Sequence, residues 1–237
     1  MNTLLLMMGG SGTRMGAARP KQFIEIKGKP VFWYIVKGYA DVAEIDAICI
    51  VSHADWIPYV RDAIKDISFG GKLLIAPGGD NRSQSIRNGL RAIEGFSGED
   101  DVVMMHDATH PYVDREGTAE VIRAVKAYGG ATLGARQYDT CYRMDEDLML
   151  TNVIPRQEIV SGASPEAFRF GDMKRIYFEA SDEELASMTS AGAIALAHHI
   201  PMKVVPSKIL NLKLTYPEDL ELFRILLDEY FISGKRL

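Results

Sequence analysis

Leu4-Leu5-Leu6-Met7-Met8-Gly9-Gly10-Ser11-Gly12-Thr13-Arg14-Met15-Gly16-Ala17-Ala18-Arg19-Pro20-Lys21-Gln22 runs from five consecutive apolar residues straight into a glycine loop. An apolar run of this length closed by glycine reads as a buried strand opening into an anion cradle. Gly9, Gly10 and Gly12 let successive backbone N–H groups turn inward around phosphate oxygens, with Ser11 among them, and Arg14 and Lys21 supply the full charges that a backbone cannot. Two commoner loops do not fit. A P-loop ends in Gly-Lys-Ser/Thr, whereas Gly12 is followed by Thr13 and Arg14. A dinucleotide fingerprint begun at Gly10 and Gly12 needs its third glycine where Met15 stands, and no acidic ribose-binding residue is evident over 29–34. A plain glycine-rich turn stays open on this stretch alone.

The 237 residues are enough for one α/β domain with a substantial core. A net charge of −5 gives no general pull toward nucleic acid, so positive charge must be local, as it is at Arg14, Arg19 and Lys21. Two distant cysteines, Cys49 and Cys141, form neither a disulfide framework nor a metal-ligand pattern, and reduced thiols point to the cytoplasm. The first apolar stretch is too short for a membrane span and lacks the basic flank of a signal peptide.

Further apolar runs at Ala47–Val51, Leu73–Ile75, Val102–Met105 and Ala131–Leu133 alternate with helical patterns. This predicts an α/β fold, a mostly parallel sheet with helices on both faces, whose ligands lie beyond the carboxyl ends of the strands. The loops there are unusual. After the third run comes Pro77-Gly78-Gly79-Asp80-Asn81-Arg82-Ser83-Gln84-Ser85, and after the fourth comes His106-Asp107-Ala108-Thr109-His110-Pro111. Asp107 at a strand end is placed to meet a metal or a substrate hydroxyl, or to cap the following turn. Over 137–160 the βαβ rhythm breaks into short β-prone pieces, which predicts a projecting β-arm that packs on a partner subunit. Ser181 opens a helix through Leu185 and Met188, Val204–Val205 and Ile209–Leu214 read as strands, and Pro217 starts a closing amphipathic helix through Leu220, Phe223 and Leu227.

In this order the pieces resemble the polyol-phosphate cytidylyltransferases, the enzymes that activate 2-C-methyl-D-erythritol 4-phosphate or ribitol 5-phosphate. The resemblance rests on the first loop with Pro20-Lys21-Gln22-Phe23, on Gly78-Gly79-Asp80-x-Arg82-x-x-Ser85, on His106-Asp107-Ala108, on Asp139-Thr140, on Pro155-Arg156, and on Asn211-Leu212-Lys213-Leu214-Thr215 before Pro217-Glu218-Asp219-Leu220. It implies one Rossmann-like nucleotidyltransferase domain over 1–237, with 137–160 as a dimerising arm. It further implies that CTP lies across Gly9, Gly10, Ser11 and Gly12, with Gly79, Asp80, Arg82 and Ser85 contributing to nucleotide binding. Arg14, Lys21 and Lys213 are then the catalytic cations, Asp107 the carboxylate for Mg²⁺ and the acceptor, and Thr140 and Arg156 arm residues that reach the acceptor phosphate across a homodimer. Neither nucleic acid nor a membrane is expected as a partner. Taken singly, Thr140 also suits any strand and Arg156 any solvated surface.

Departures from the family pattern fall mainly on the acceptor side. Ala163-Ser164-Pro165-Glu166 stands where Gln-Thr-Pro-Gln is common, and His110 stands where an arginine is common. Ser181-Asp182-Glu183-Glu184-Leu185 and the Gly9-Gly10 pair look nearer the ribitol branch. The competing functions are a nucleotidyltransferase for another nucleotide or sugar phosphate and a nucleotide-binding homologue without turnover.

Overall fold

Strand β1, Asn2–Met8, is buried along almost its whole length because each of its faces meets a different core. Leu4, Leu6 and Met8 join one apolar cluster and Leu5 and Met7 the other, as alternating side chains must in a strand covered on both sides. The structure, a computed structural model, describes residues 1–9, 19–187 and 190–228. Gly10, Ser11, Gly12, Arg14 and Met188 lie outside the described residues.

After β1 come β2 (Glu25–Ile26), β3 (Lys29–Pro30), α1 (Val31–Ala40), β4 (Ala47–Ser52), α2 (Ile57–Ala63), β5 (Lys72–Pro77), α3 (Arg82–Ile93) and β6 (Val102–Asp107). The second half holds α4 (Arg115–Tyr128), β7 (Gly130–Arg136), β8 (Cys141–Met144), β9 (Leu150–Ile154), β10 (Val160–Arg169), α5 (Phe170–Glu179), α6 (Asp182–Ser187), α7 (Ala191–Ala197), β11 (Met202–Pro206) and α8 (Pro217–Leu227). A seven-stranded sheet runs β11-β7-β10-β6-β1-β4-β5. Its pairs are parallel except those of β10, which is antiparallel to both β6 and β7. Helices α1, α2 and α4 cover one face, and α3, α5, α6 and α7 the other. From β1 the chain builds outward through β4 and β5, then returns to place β6 on the other side of β1. The order therefore reverses between β1 and β6, and ligands in such sheets bind at the carboxyl ends beside that reversal.

The expected strands over 4–8, 47–51, 73–75, 102–105 and 131–133 fall inside β1, β4, β5, β6 and β7. The expected strand over 209–214 is not formed. There Leu214 N–H donates to Thr109 O (2.8 Å), and Leu212 and Leu214 pack with Tyr34, Tyr112 and Phe223 of a third small core, so the apolar spacing serves packing under α8 and not a sheet ladder. Strand β10 is the element that the sequence concealed. Gly162 and Pro165 interrupt its pattern, and the register on β7 shifts between Ala163 and Glu166, a bulge that accommodates a residue with no N–H to donate.

Val160 pairs with Arg136 where β7 ends and β10 begins, and the chain between them leaves the main sheet as the hairpin β8–β9, a two-stranded sheet of its own. Tyr138, Leu148, Met149, Leu150 and Val153 on this segment are 56–81% exposed. At the other end of the chain, Asp219 accepts the N–H groups of Thr215 (2.7 Å) and Tyr216 (2.8 Å), which fixes the start of α8 behind Pro217.

Candidate active site

Gly9 follows β1 and Asp107 ends β6, so the two flank the reversal in strand order, with Met7 in register with Asp107. A side chain on Gly9 would put its Cβ 2.7 Å from Ser85 Oγ, so only glycine lets the end of β1 pass Ser85 without displacing that hydroxyl. Ser85 Oγ in turn accepts Gly79 N–H (3.0 Å) and donates to Asn81 O (2.9 Å), while Asn81 caps α3 by accepting Gln84 N–H (2.9 Å). Gly79 is equally constrained, since a Cβ there would lie 2.4 Å from that of Gln84. Asp80 stays exposed, its N–H held by Gln84 Oε1 (2.9 Å).

Lys21 is positioned by its neighbours. Buried Gln22 donates from Nε2 to Met8 O (3.0 Å), and Phe23 stacks on Trp56 with ring centroids 4.3 Å apart. These anchors tie the turn Lys21–Phe23 to the end of β1, and from it Lys21 Nζ donates to Leu214 O (2.6 Å). Two cations 192 positions apart in the chain, Lys21 and exposed Lys213, are thereby brought to one place, where both act on His110.

Asp107 is met by Arg82, the first residue of α3, whose Nε and Nη2 both donate to Oδ1 (3.3 and 3.1 Å). Burial pushes the Asp107 carboxyl up, but the Arg82 guanidinium, with His110 and His106 beyond it, holds it below the usual carboxylate range. Asp107 therefore does not cap the following turn with its side chain. Arg82 Nη2 also lies 3.8 Å from Glu166 Oε2. Nothing in the sequence pattern marks Glu166 as a partner, because it stands on β10 beyond the arm. Asp107 N–H donates to Ser164 Oγ (3.3 Å), so this strand packs against the end of β6.

His106 is fully buried. Its Nε2 is 2.8 Å from His110 O, an atom that only accepts, so Nε2 carries the proton and Nδ1 accepts from the Tyr39 hydroxyl at 2.8 Å. Burial pushes its pKa down to about 4, and burial followed by the charge of Lys213 does the same to His110. Both side chains fold as neutral rings. Below the ordinary histidine value the unfolded chain binds protons that the fold refuses, so stability falls as pH drops from about 6.5 toward 4. Urea melts at pH 5 are expected to show a loss of up to about 2 kcal/mol per ring relative to pH 7.5. A His106→Gln variant should lose part of that pH dependence, and identical slopes in both proteins would remove His106 from it.

Thr140 and Arg156 share a hollow on the arm with Val153, Ile154, Pro155 and Gln157, and Arg156 Nη1 donates to Tyr138 O. Among the described residues no three His, Cys, Asp or Glu side chains gather as a metal cage, and no helix is long and apolar enough to cross a membrane. Both cysteines are free.

The family model described as IspD, 2-C-methyl-D-erythritol 4-phosphate cytidylyltransferase, matches residues 3–229. The chain belongs to this family. It is 33% identical to the 2-C-methyl-D-erythritol 4-phosphate cytidylyltransferase of Thermotoga neapolitana, over 97% of this chain and 98% of that one. It is 26% identical to the ribitol-5-phosphate cytidylyltransferase of Streptococcus agalactiae serotype Ia, over 96% of each. Among solved structures it superposes on the 4-diphosphocytidyl-2C-methyl-D-erythritol synthase of Anaerococcus prevotii with a TM-score of 0.80, at 23% identity and 96% coverage of each chain, a likeness of fold. As an IspD-family chain it is thus a member of a transferase family, the cytidylyltransferases, with the mostly parallel sheet that the strand pattern predicts and the Rossmann-like fold that the resemblance implies.

Proposed function

We propose that this chain transfers the cytidylyl group of CTP to a small polyol phosphate and releases pyrophosphate, working in the cytoplasm as a homodimer joined through its arms. The observation that carries the reading is the convergence of Lys21, Lys213 and the Arg82–Asp107 pair at the reversal between β1 and β6. Charge neutralisation is what the reaction needs. A phosphate monoester oxygen attacks the α-phosphorus of CTP, the α–β bridging bond breaks, and pyrophosphate takes the electron pair. Two anions must approach in line, so preorganised cations count for more than a general base, and the acceptor phosphate is already ionised at neutral pH.

In this reading the first glycine loop, Arg14 and Lys21 hold the triphosphate, and Gly79, Asp80 and Ser85 form the wall on which the base rests. Arg82 serves nucleotide binding through Asp107. Mg²⁺ suits this donor set, since it binds through one or two carboxylates together with substrate phosphates, and the Arg82 hydrogen bonds engage only Oδ1 of Asp107. When bound, the metal would neutralise phosphate charge as it develops. Lys213, near Lys21, joins it and Arg14 as a catalytic cation. The apolar side chains of the hairpin are what a partner subunit would cover, and that contact would carry Thr140 and Arg156 to the acceptor phosphate of the neighbouring site.

Pyrophosphate release from CTP and Mg²⁺ tests this against methylerythritol phosphate, ribitol phosphate, other pentitol and sugar phosphates, and no acceptor. Release with one polyol phosphate and with CTP alone among nucleotides supports the proposal. A preference for UTP or GTP, or CTP binding with silence across the panel, would replace it. Arg156→Ala is expected to raise the acceptor KM or lower kcat while CTP affinity holds. Mixing Arg156→Ala subunits with Lys21→Ala subunits should recover activity, because one site of the mixed dimer then has both residues. No recovery would mean that Arg156 serves its own chain.

A further inference from the structure

A single nitrogen, Arg82 Nη2, faces two carboxylates from different elements: Asp107 Oδ1 at 3.1 Å and Glu166 Oε2 at 3.8 Å. Glu166 is held firmly from its other side. Its Oε2 accepts Ala191 N–H and its Oε1 accepts Gly192 N–H, both at 3.1 Å, and a side chain on Gly192 would lie 2.6 Å from Oε1. Those two bonds fix the carboxylate at the start of α7 and leave its charge turned toward Arg82. Beneath the trio lies Tyr177, fully buried, whose hydroxyl finds no partner among the described residues and on which Arg82, Glu166 and Asp107 all act.

We infer that Glu166 is a positioning residue that receives Arg82 when a divalent cation and the nucleotide triphosphate engage Asp107. The inference rests on the reading of Asp107 as the carboxylate that meets Mg²⁺. In the arrangement described here Arg82 and an incoming cation compete for the same carboxylate, and two positive charges on one carboxylate repel. A second carboxylate fixed 3.8 Å from the guanidinium lets the half-buried Arg82 withdraw while keeping an anionic neighbour. Glutamate matters here because it is charged: a glutamine at 166 would keep an acceptor for a backbone N–H of α7 but would leave Arg82 with Asp107 as its one anionic neighbour.

The test is the dissociation constant of CTP, measured by calorimetry across a series of Mg²⁺ concentrations, with no acceptor and no turnover. In wild type, Mg²⁺ tightens CTP. Glu166→Gln should leave CTP affinity without metal unchanged and move the Mg²⁺ midpoint up by about tenfold, the effect of roughly one pK unit of lost charge interaction. Arg82→Gln removes the competitor and should move the midpoint down, and adding Glu166→Gln to it should then change nothing further. This second variant carries the test if the first fails to fold. A Mg²⁺ midpoint that stays at the wild-type value in Glu166→Gln, alongside a lowered melting temperature, would make Glu166 only a cap of α7 and overturn the inference. Asp107→Asn separates the two readings: if Mg²⁺ still tightens CTP in that variant as in wild type, Asp107 does not meet the metal, and both fall together.

Discussion

Lys21→Ala is expected to lower turnover by about 10²–10³ while the fold survives, the scale on which removal of one preorganised contact to developing charge acts. The bond from Nζ to Leu214 O, at 2.6 Å and part-buried, has a charged donor, so its loss should lower stability by about 1.5 kcal/mol. The two effects are separable. Steady-state kinetics with the working acceptor, beside a urea melt, would show a large fall in kcat and a small shift in midpoint. Wild-type turnover in this variant would remove Lys21 from the mechanism, and a large loss of stability would make it a strut between the turn after β1 and the segment before α8.

Asp107→Asn should be as damaging, by about 10²–10³ in kcat/KM, for a different reason. The amide keeps the shape of the carboxylate but has no charge to offer a divalent cation. The fold should tolerate it, because Arg82 retains Glu166 within 3.8 Å as an anionic neighbour. Activity at saturating CTP over a wide range of Mg²⁺ provides the measurement. Recovery at high Mg²⁺ would point to a weakened metal contact, and a variant as active as wild type would exclude Asp107 from the chemistry.

Much of the sheet was legible because buried parallel strands announce themselves as short apolar runs closed by glycine or by polar turns, and β1, β4, β5, β6 and β7 all do so. The two failures share one cause. Ile209–Leu214 has the alternation of a strand but uses it to pack under α8, and β10 has no clean alternation yet lies at the centre of the sheet. Pattern reports burial, not which backbone supplies the hydrogen bonds. The site divides the same way. Gly9, Gly79, Lys21 and Asp107 stand in local motifs whose residue types already imply anion chemistry. Glu166 and Tyr177 reach the site only through tertiary packing from β10 and α5, and no spacing in the chain connects them to Arg82. His106 stands in the same motif as Asp107, but alternation along β6 turns it into the core, where Tyr39 and a backbone carbonyl satisfy it.

The position of β10 has a consequence for how the chain is made. Strands β5, β4, β1 and β6 all come from the first 107 residues, whereas β7 and β11 join them only through β10, which ends at residue 169. As the chain emerges from a ribosome at its usual pace, the outer edge of β6 waits on the order of several seconds for the strand that will cover it. During that interval a hydrophobic half-sheet presents unpaired N–H and C=O groups, the kind of edge that recruits strands from other chains. Yield on expression should therefore depend on what this edge meets during the interval, and a lower concentration of nascent chains, from weaker induction, is the condition under which the half-sheet is best kept from its neighbours.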